Sequence, residues 1–216
     1  MPEGDVLLVG GGRFGRLAWQ RLGGRVCCLV EPDPSPDLLK TDPPLVREDG
    51  LALVGRLLAS GQAPPWIVPC LPRHLLWEWL LGALAGARAR LVPGEILPPV
   101  ATRMRGEQGE HYLSLADFLC PDDCPEPARN CTVTGLPRGE PMYSRLGGIQ
   151  APGWRVGVLR SYQLAPGVGG LRSREMLELK QRMEEQGGVW LVGAACRCHG
   201  VVHGLEVPGG AGEGGS

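Results

Sequence analysis

The chain lacks an excess of either charge. Its 216 residues carry 22 basic and 23 acidic side chains, a formal net charge of −1. A protein that grips nucleic acid by neutralising phosphates shows a basic surplus, so no nucleic-acid partner is expected. Lysine is almost missing: apart from Lys40 and Lys180, arginine supplies all the base. Long apolar runs are missing too. The most apolar stretch, Leu75 to Gly86, is short and carries Glu78, whereas a spanning helix needs about 20 apolar residues. No membrane insertion is expected. The start, Met1 to Asp5, is acidic, unlike the basic opening of an export signal, and a cytoplasmic location is expected. There is no G-x-S-x-G, no H-E-x-x-H, no Walker loop and no spaced carboxylate pair. The sequence therefore gives no sign of hydrolytic chemistry.

What is present is a foldable chain with unusual punctuation. At 43% hydrophobic it can bury a core, and its length suits one large domain or two small ones. Glycine (34) and proline (21) together exceed a quarter of the residues, a proportion that can signal low complexity. Most of these glycines lie inside apolar, strand-like segments, which reads as turns. Only Pro208 to Ser216 reads as a disordered Gly-rich tail.

The first half alternates strand and helix patterns. Strands are expected at 5–9, 25–30, 66–69 and 89–92, and helices at 14–22, 49–60 and 73–85, with an irregular Pro-rich stretch over 32–44. Interleaving of this kind implies a mostly parallel sheet. After Pro98 the pattern weakens. Residues 114–119 read as a helical turn or two, and 120–139 fit no packed element. A strand at 154–164, a glycine turn at 166–170, a helix at 172–186 and strands at 189–194 and 200–207 complete a small α+β unit.

Two constellations carry chemistry. The first is Gly10-Gly11-Gly12-Arg13-Phe14-Gly15, a G-x-G-x-x-G between a strand and a helix. The first glycine permits a tight turn. The second admits a pyrophosphate to the backbone, and the third allows close helix packing at a phosphate-binding N-terminus. Glu31 closes the next strand where the ribose-binding acid is expected, with Asp33 as an alternative. Arg13 stands where it can meet a phosphate, and Phe14 completes the turn. Cys70 follows the third strand at its carboxyl end, where α/β ligand sites form, and could present a thiol there.

The segment Val6 to Leu22 resembles the nucleotide-binding half of regulator-of-potassium-conductance domains, found in Trk-type potassium-uptake subunits. In those a strand, a G-x-G-R-[FV]-G turn and a small-residue helix precede an acidic strand end. The resemblance implies a Rossmann fold that binds NAD(H) or a related adenine nucleotide through Gly10, Gly12, Gly15 and Glu31. After Glu31 the chain departs from that pattern: a Pro-rich stretch replaces a helix.

The second constellation is Cys120-x3-Cys124-x6-Cys131, in a stretch without apolar periodicity, with Cys196 and Cys198 as later partners. Cysteine is normally buried, so thiols in a polar loop point to a metal that orders it. Zinc would take four tetrahedral ligands with sulfur at ~2.3 Å, and a [4Fe-4S] cluster would also take four thiolates. The spacings match neither standard pattern, and a reversible disulfide pair is the alternative. Cys27 and Cys28 read as core residues. A second glycine turn, 165–171, with Arg160, Arg172 and Arg174 nearby, is a further anion-cradle candidate.

The sequence thus reads as α/β: a Rossmann-like dinucleotide-binding domain over 1–97, a Cys-rich loop with a small α+β domain over 98–207, and a tail over 208–216. The expected activity is redox-type, with NAD(H) and zinc or an iron–sulfur cluster as cofactors. The alternative is a non-catalytic nucleotide or redox sensor, or a regulatory subunit of the kind the potassium-regulator resemblance implies, with structural zinc. A homodimer or a protein partner is compatible with either.

Overall fold

In a computed structural model the chain is described over residues 4–209, so residues 210–216 of the expected tail lie outside the described part. The fold is α/β and contains two sheets. Strands β1 (Val6–Val9), β2 (Val26–Val30), β3 (Leu45–Val46) and β4 (Trp66–Pro69) are parallel, in the order β3-β2-β1-β4. β1 and β2 are apolar throughout and fully buried, as strands covered on both faces must be. The sheet continues beyond the first half. A hairpin of β9 (Tyr162–Ala165) and β10 (Val168–Arg172) adds to β4 with β10 antiparallel to it. The sheet is therefore mixed. The stretch 154–164, read as one strand, is two: β8 (Trp154–Arg160) belongs to the other sheet, and Ser161 marks the break.

The second sheet is ordered β6 (Thr102–Arg105), β7 (His111–Ser114), β12 (His199–Val207), β11 (Gly188–Ala195), β8, and β5 (Arg88–Arg90) also pairs β12. The strand expected near 89–92 thus lies outside the parallel sheet, pairing antiparallel with Gly204 to Glu206. The turn or two of helix expected at 114–119 is absent. There β7 ends at Ser114, whose hydroxyl accepts the Ala116 N–H at 3.0 Å, a local turn that competes with helix.

Helices α1 (Arg13–Leu22), α2 (Pro36–Leu39), α3 (Gly50–Ala59), α4 (Leu75–Ala83), α5 (Met142–Gly147) and α6 (Ser173–Gln186), with 3-10 turns at Gly23–Arg25 and Gly94–Ile96, complete the element list. α3 starts at Asp49, whose carboxylate accepts the Ala52 N–H at 2.9 Å, a standard N-cap. α4 and α6 supply Leu76, Trp79, Leu80, Met176 and Met183 to one cluster shared by both sheets, with Leu7 and Val9 on one side and Trp190, Val192 and Leu205 on the other. α1 covers the opposite face of the first sheet through Ala18 and Leu22. α5 packs Met142 and Leu146 on the second sheet. No helix among the described residues is long and apolar enough to cross a membrane.

A buried polar pair sits inside the shared core. His74, before α4, and His203, on β12, approach Nδ1 to Nδ1 at 2.9 Å, so one ring donates and the other accepts. Trp77 stacks on His203 at 4.2 Å and donates its indole N–H to the Gly204 carbonyl at 3.0 Å. Burial pushes His203 from 6.5 down to about 4, although Glu110 opposes the shift, and burial, helped by His203, holds His74 well below its ordinary value.

The sign of the consequence follows from linkage. With a depressed folded pKa, the unfolded chain takes up protons first as pH falls below 6.5. Stability should be full above that pH and fall towards pH 4, by about 3 kcal/mol for His203 alone. Urea unfolding between pH 7.5 and 4.5 measures this. The double variant His74→Leu, His203→Leu should show a flatter profile, and an equally steep one would contradict the assignment.

Candidate functional site

In the order β3-β2-β1-β4 the chain winds outward from β1 and then returns to add β4 on the other side. The crevice for a ligand in an open α/β sheet lies at that reversal, beyond the carboxyl ends of β1 and β4. The glycine loop and Cys70 stand there. Gly10 has φ +105°, which side chains avoid. A Cβ on Gly15 would overlap the Gly10 carbonyl oxygen, while one on Gly12 would meet nothing within 4 Å. Helix and loop are thus locked together, and the Gly12 backbone stays open to approach. Glu31 lies beside the loop, accepting the Gly11 N–H at 2.7 Å and the Asp33 N–H at 3.2 Å.

Two other loop residues point elsewhere. Arg13 is ion-paired with Asp122 of the cysteine loop. Phe14 lies half exposed at the edge of a large cavity. Cys70 packs behind the loop, its N–H donating to the Val9 carbonyl at 2.7 Å. Burial pushes its thiol up to about 12, so at neutral pH it stands in the protonated thiol form. Cys27 and Cys28 are buried in β2.

The cysteine stretch contains no helix or strand of its own. It is ordered by donors from elsewhere. The Cys124 carbonyl accepts the Gly167 N–H at 3.0 Å and the Gln163 side-chain amide at 2.6 Å. Arg21 of α1 donates to the carbonyls of Asp122 (2.8 Å) and Pro166 (2.5 Å). Glu126 accepts the Arg197 N–H. The glycine turn at 165–171 is therefore a hairpin that docks this loop. Of the arginines near it, Arg160 and Arg172 lie over the Tyr162 ring at 4.7 and 4.4 Å.

These contacts bring the cysteines together. Cys120, Cys124, Cys131, Cys196 and Cys198 all line one cavity of about 990 Å³. Cys120 feels the charge of Cys124, Cys131 and Cys196, and Cys198 that of Cys196, Cys120 and Cys124. Among the described residues, however, no three His, Cys, Asp or Glu side chains converge closely enough to hold one ion. Burial pushes Cys198 up to about 11 and raises Cys120 and Cys196. Cys131 is the exception: the N–H groups of Thr134 and Val133 and the Thr134 hydroxyl lower it.

Sequence reasoning missed Arg138. Its guanidinium donates to Cys198 Sγ at 2.6 Å and reaches Cys124 Sγ at 3.8 Å. One arginine among so many gives no local signal. It also missed the apolar rim, where Leu119, 97% exposed, joins Phe14, Val133 and Leu136 around the cavity.

Residues 74–208 match the AF_1314_C family, described as uncharacterized protein, C-terminal domain. The chain belongs to that family. The match contains all five clustered cysteines and Arg138, whereas the glycine loop precedes it. An uncharacterized protein of Archaeoglobus fulgidus is 28% identical over 225 residues, covering 93% of this chain and 98% of the relative. No solved structure matches.

The site predicts an order of thiol reactivity. Iodoacetamide at neutral pH on chelator-treated protein should label Cys131 first, because a lowered pKa raises its thiolate fraction. Cys70 and Cys28, the latter pushed up to about 11, should stay unlabelled until unfolding. Thr134→Val should slow Cys131 several-fold. Mass-spectrometric mapping over time would reveal a different order.

Proposed function

We propose that the chain is a Rossmann-like NAD(H)-binding protein whose cysteine loop carries a thiolate-ligated metal or iron–sulfur centre, and that its activity is redox-type. One observation carries the reading. The cysteine loop is docked beside the nucleotide crevice, through Arg13 and Arg21 of α1 and the β9–β10 hairpin. The cavity consequently runs from Phe14, in the glycine loop, to the five sulfurs.

Each part has a physical role. The exposed N-terminus of α1 offers N–H groups and a partial positive charge to a pyrophosphate. Glu31 is placed for a ribose hydroxyl, and its carboxylate would repel a 2′-phosphate, which favours NAD over NADP. A dinucleotide with its phosphates on α1 would extend across the reversal point towards β4 and the hairpin, the side on which the thiols lie. A thiolate-held centre would supply electron transfer there. The protein's own part is to orient the nicotinamide, exclude water with the apolar rim and fix the sulfurs.

Gly12→Val provides a clean test. The added side chain meets no protein atom within 4 Å of its Cβ, so folding should persist, while approach of the pyrophosphate is blocked. NADH affinity, followed by its fluorescence, should fall at least tenfold, about 1.4 kcal/mol. Unchanged affinity in the variant, or no NADH binding by the native chain, would refute the nucleotide site.

A further inference from the structure

We infer that the large cavity beside the glycine loop binds an organic carboxylate with an apolar body, its acid group held by Arg138. The inference goes beyond the redox reading and needs neither NADH nor a metal.

One small hairpin builds the wall. The Cys131 N–H donates to the Leu136 carbonyl and the Gly135 N–H to the Cys131 carbonyl, both at 2.9 Å, and the Arg138 N–H donates to the Arg129 carbonyl at 2.7 Å. Asn130 and Pro137 bridge its two arms. Its turn presents Val133 and, beside it, Leu136, both exposed, and its base carries the half-buried Arg138. Phe118 and the exposed Leu119 line the same cavity. Exposed apolar side chains grouped around a concavity mark a ligand groove, whereas scattered ones carry no such meaning. The volume of about 990 Å³ is that of a site for a small organic molecule.

The second observation is a charge without a counter-ion. The Arg138 guanidinium meets sulfur alone: Cys198 Sγ at 2.6 Å and Cys124 Sγ at 3.8 Å. Sulfur is a weak acceptor. The Arg138 Nε–H is buried and meets no acceptor among the described residues. The carboxylates of the cavity wall stand elsewhere. Asp122 pairs with Arg13, Glu126 accepts the Arg197 N–H, and Asp117 is exposed. Arg145 adds positive charge to the wall, and its Nε donates to the Glu140 carbonyl at 3.1 Å, not to a carboxylate. A half-buried cation lacking a partner is costly. An incoming carboxylate removes that cost through charge-assisted, two-point hydrogen bonding to the guanidinium.

Together the two features select the ligand. The cation lies at the base of the hairpin and the apolar side chains at its exposed turn. The acid group therefore enters first and the apolar body fills the mouth. A small polar anion would leave Val133, Leu136 and Leu119 uncovered, and a neutral apolar molecule would leave Arg138 unmatched.

Titration calorimetry of the full chain tests this with naphthaleneacetate and its neutral amide, naphthaleneacetamide, which share one apolar body. The acid should bind at least tenfold tighter than the amide. In Arg138→Met that advantage should vanish while the amide binds as before, and Arg138→Lys, which keeps the charge, should recover part of it. Leu136→Ser should weaken both probes together. Amide binding and far-UV circular dichroism report that each variant is folded. Equal affinity of acid and amide for the native chain would overturn the anionic class. An advantage that survives in Arg138→Met would overturn the role of Arg138. A native chain that takes up neither probe at millimolar concentration would overturn the site itself. Each of these results leaves the nucleotide site untouched, because NADH titration decides that separately.

Discussion

A loop without a core of its own must borrow its order, and the site depends on how that is done. Residues around Cys120 to Cys131 bury little, and their pairing with one another is confined to a short antiparallel bridge between Asn130 and Pro137. Their carbonyls are met by the Gly167 N–H, the Gln163 amide and the Arg21 guanidinium. Each such group, if buried and left unpaired, would cost about 1–3 kcal/mol. The donors come from α1 and from the β9–β10 hairpin, elements far apart in sequence. The same contacts therefore fix the loop and set it beside the glycine turn. A change that frees the hairpin would scatter the thiols and open the crevice together.

Electrostatics makes ionisation harder for Cys120, Cys196 and Cys198. Burial is the larger cause at Cys198 and Cys120, and like charges crowded together add to it by resisting joint ionisation. Arg138 is the cation placed among them, its own charge favoured by the neighbouring sulfurs of Cys198 and Cys124 although burial opposes it. Cys131 escapes because local donors from Val133 and Thr134 act on it directly. Arg138 is thus the positive charge that the raised thiols have beside them, set against Cys198 and Cys124.

The legible part of the sequence was the local part. β1, the glycine turn, α1 and β2 with Glu31 follow from short apolar runs and glycine spacing, and α6 from its 3.6-residue period. The misread parts depend on partners that pattern does not name. Arg88–Arg90 has the look of a strand, but its partner is Gly204 to Glu206 across the chain. The break at Ser161 is invisible because β8 and β9 share one alternation yet belong to different sheets. α5 carries no periodic signal because it is short, follows Pro141 and ends in glycine, and it is fastened by the Met142 N–H to the Arg197 carbonyl at 2.8 Å. The cysteines announced themselves by composition; Arg138 could not, because a side chain's meaning here lies in what it touches.

The crevice at the glycine loop and the thiol cavity are mechanically one piece. The matched family region, 74–208, contributes the last two strands of the first sheet as well as the whole of the second. Leu7 and Val9 of β1 share a core with Trp190 and Leu205 of the second sheet, so separating the halves would expose apolar surface on both. At roughly 25 cal/mol per Å² of apolar area, even a few hundred Å² of such exposure would cost several kcal/mol, comparable with the whole stability of a domain. Hinge motion between the sheets is accordingly disfavoured. Communication between a nucleotide on α1 and the thiols would run instead through the shorter route, from Arg13 and Arg21 into Asp122 and so to Cys120 and Cys124.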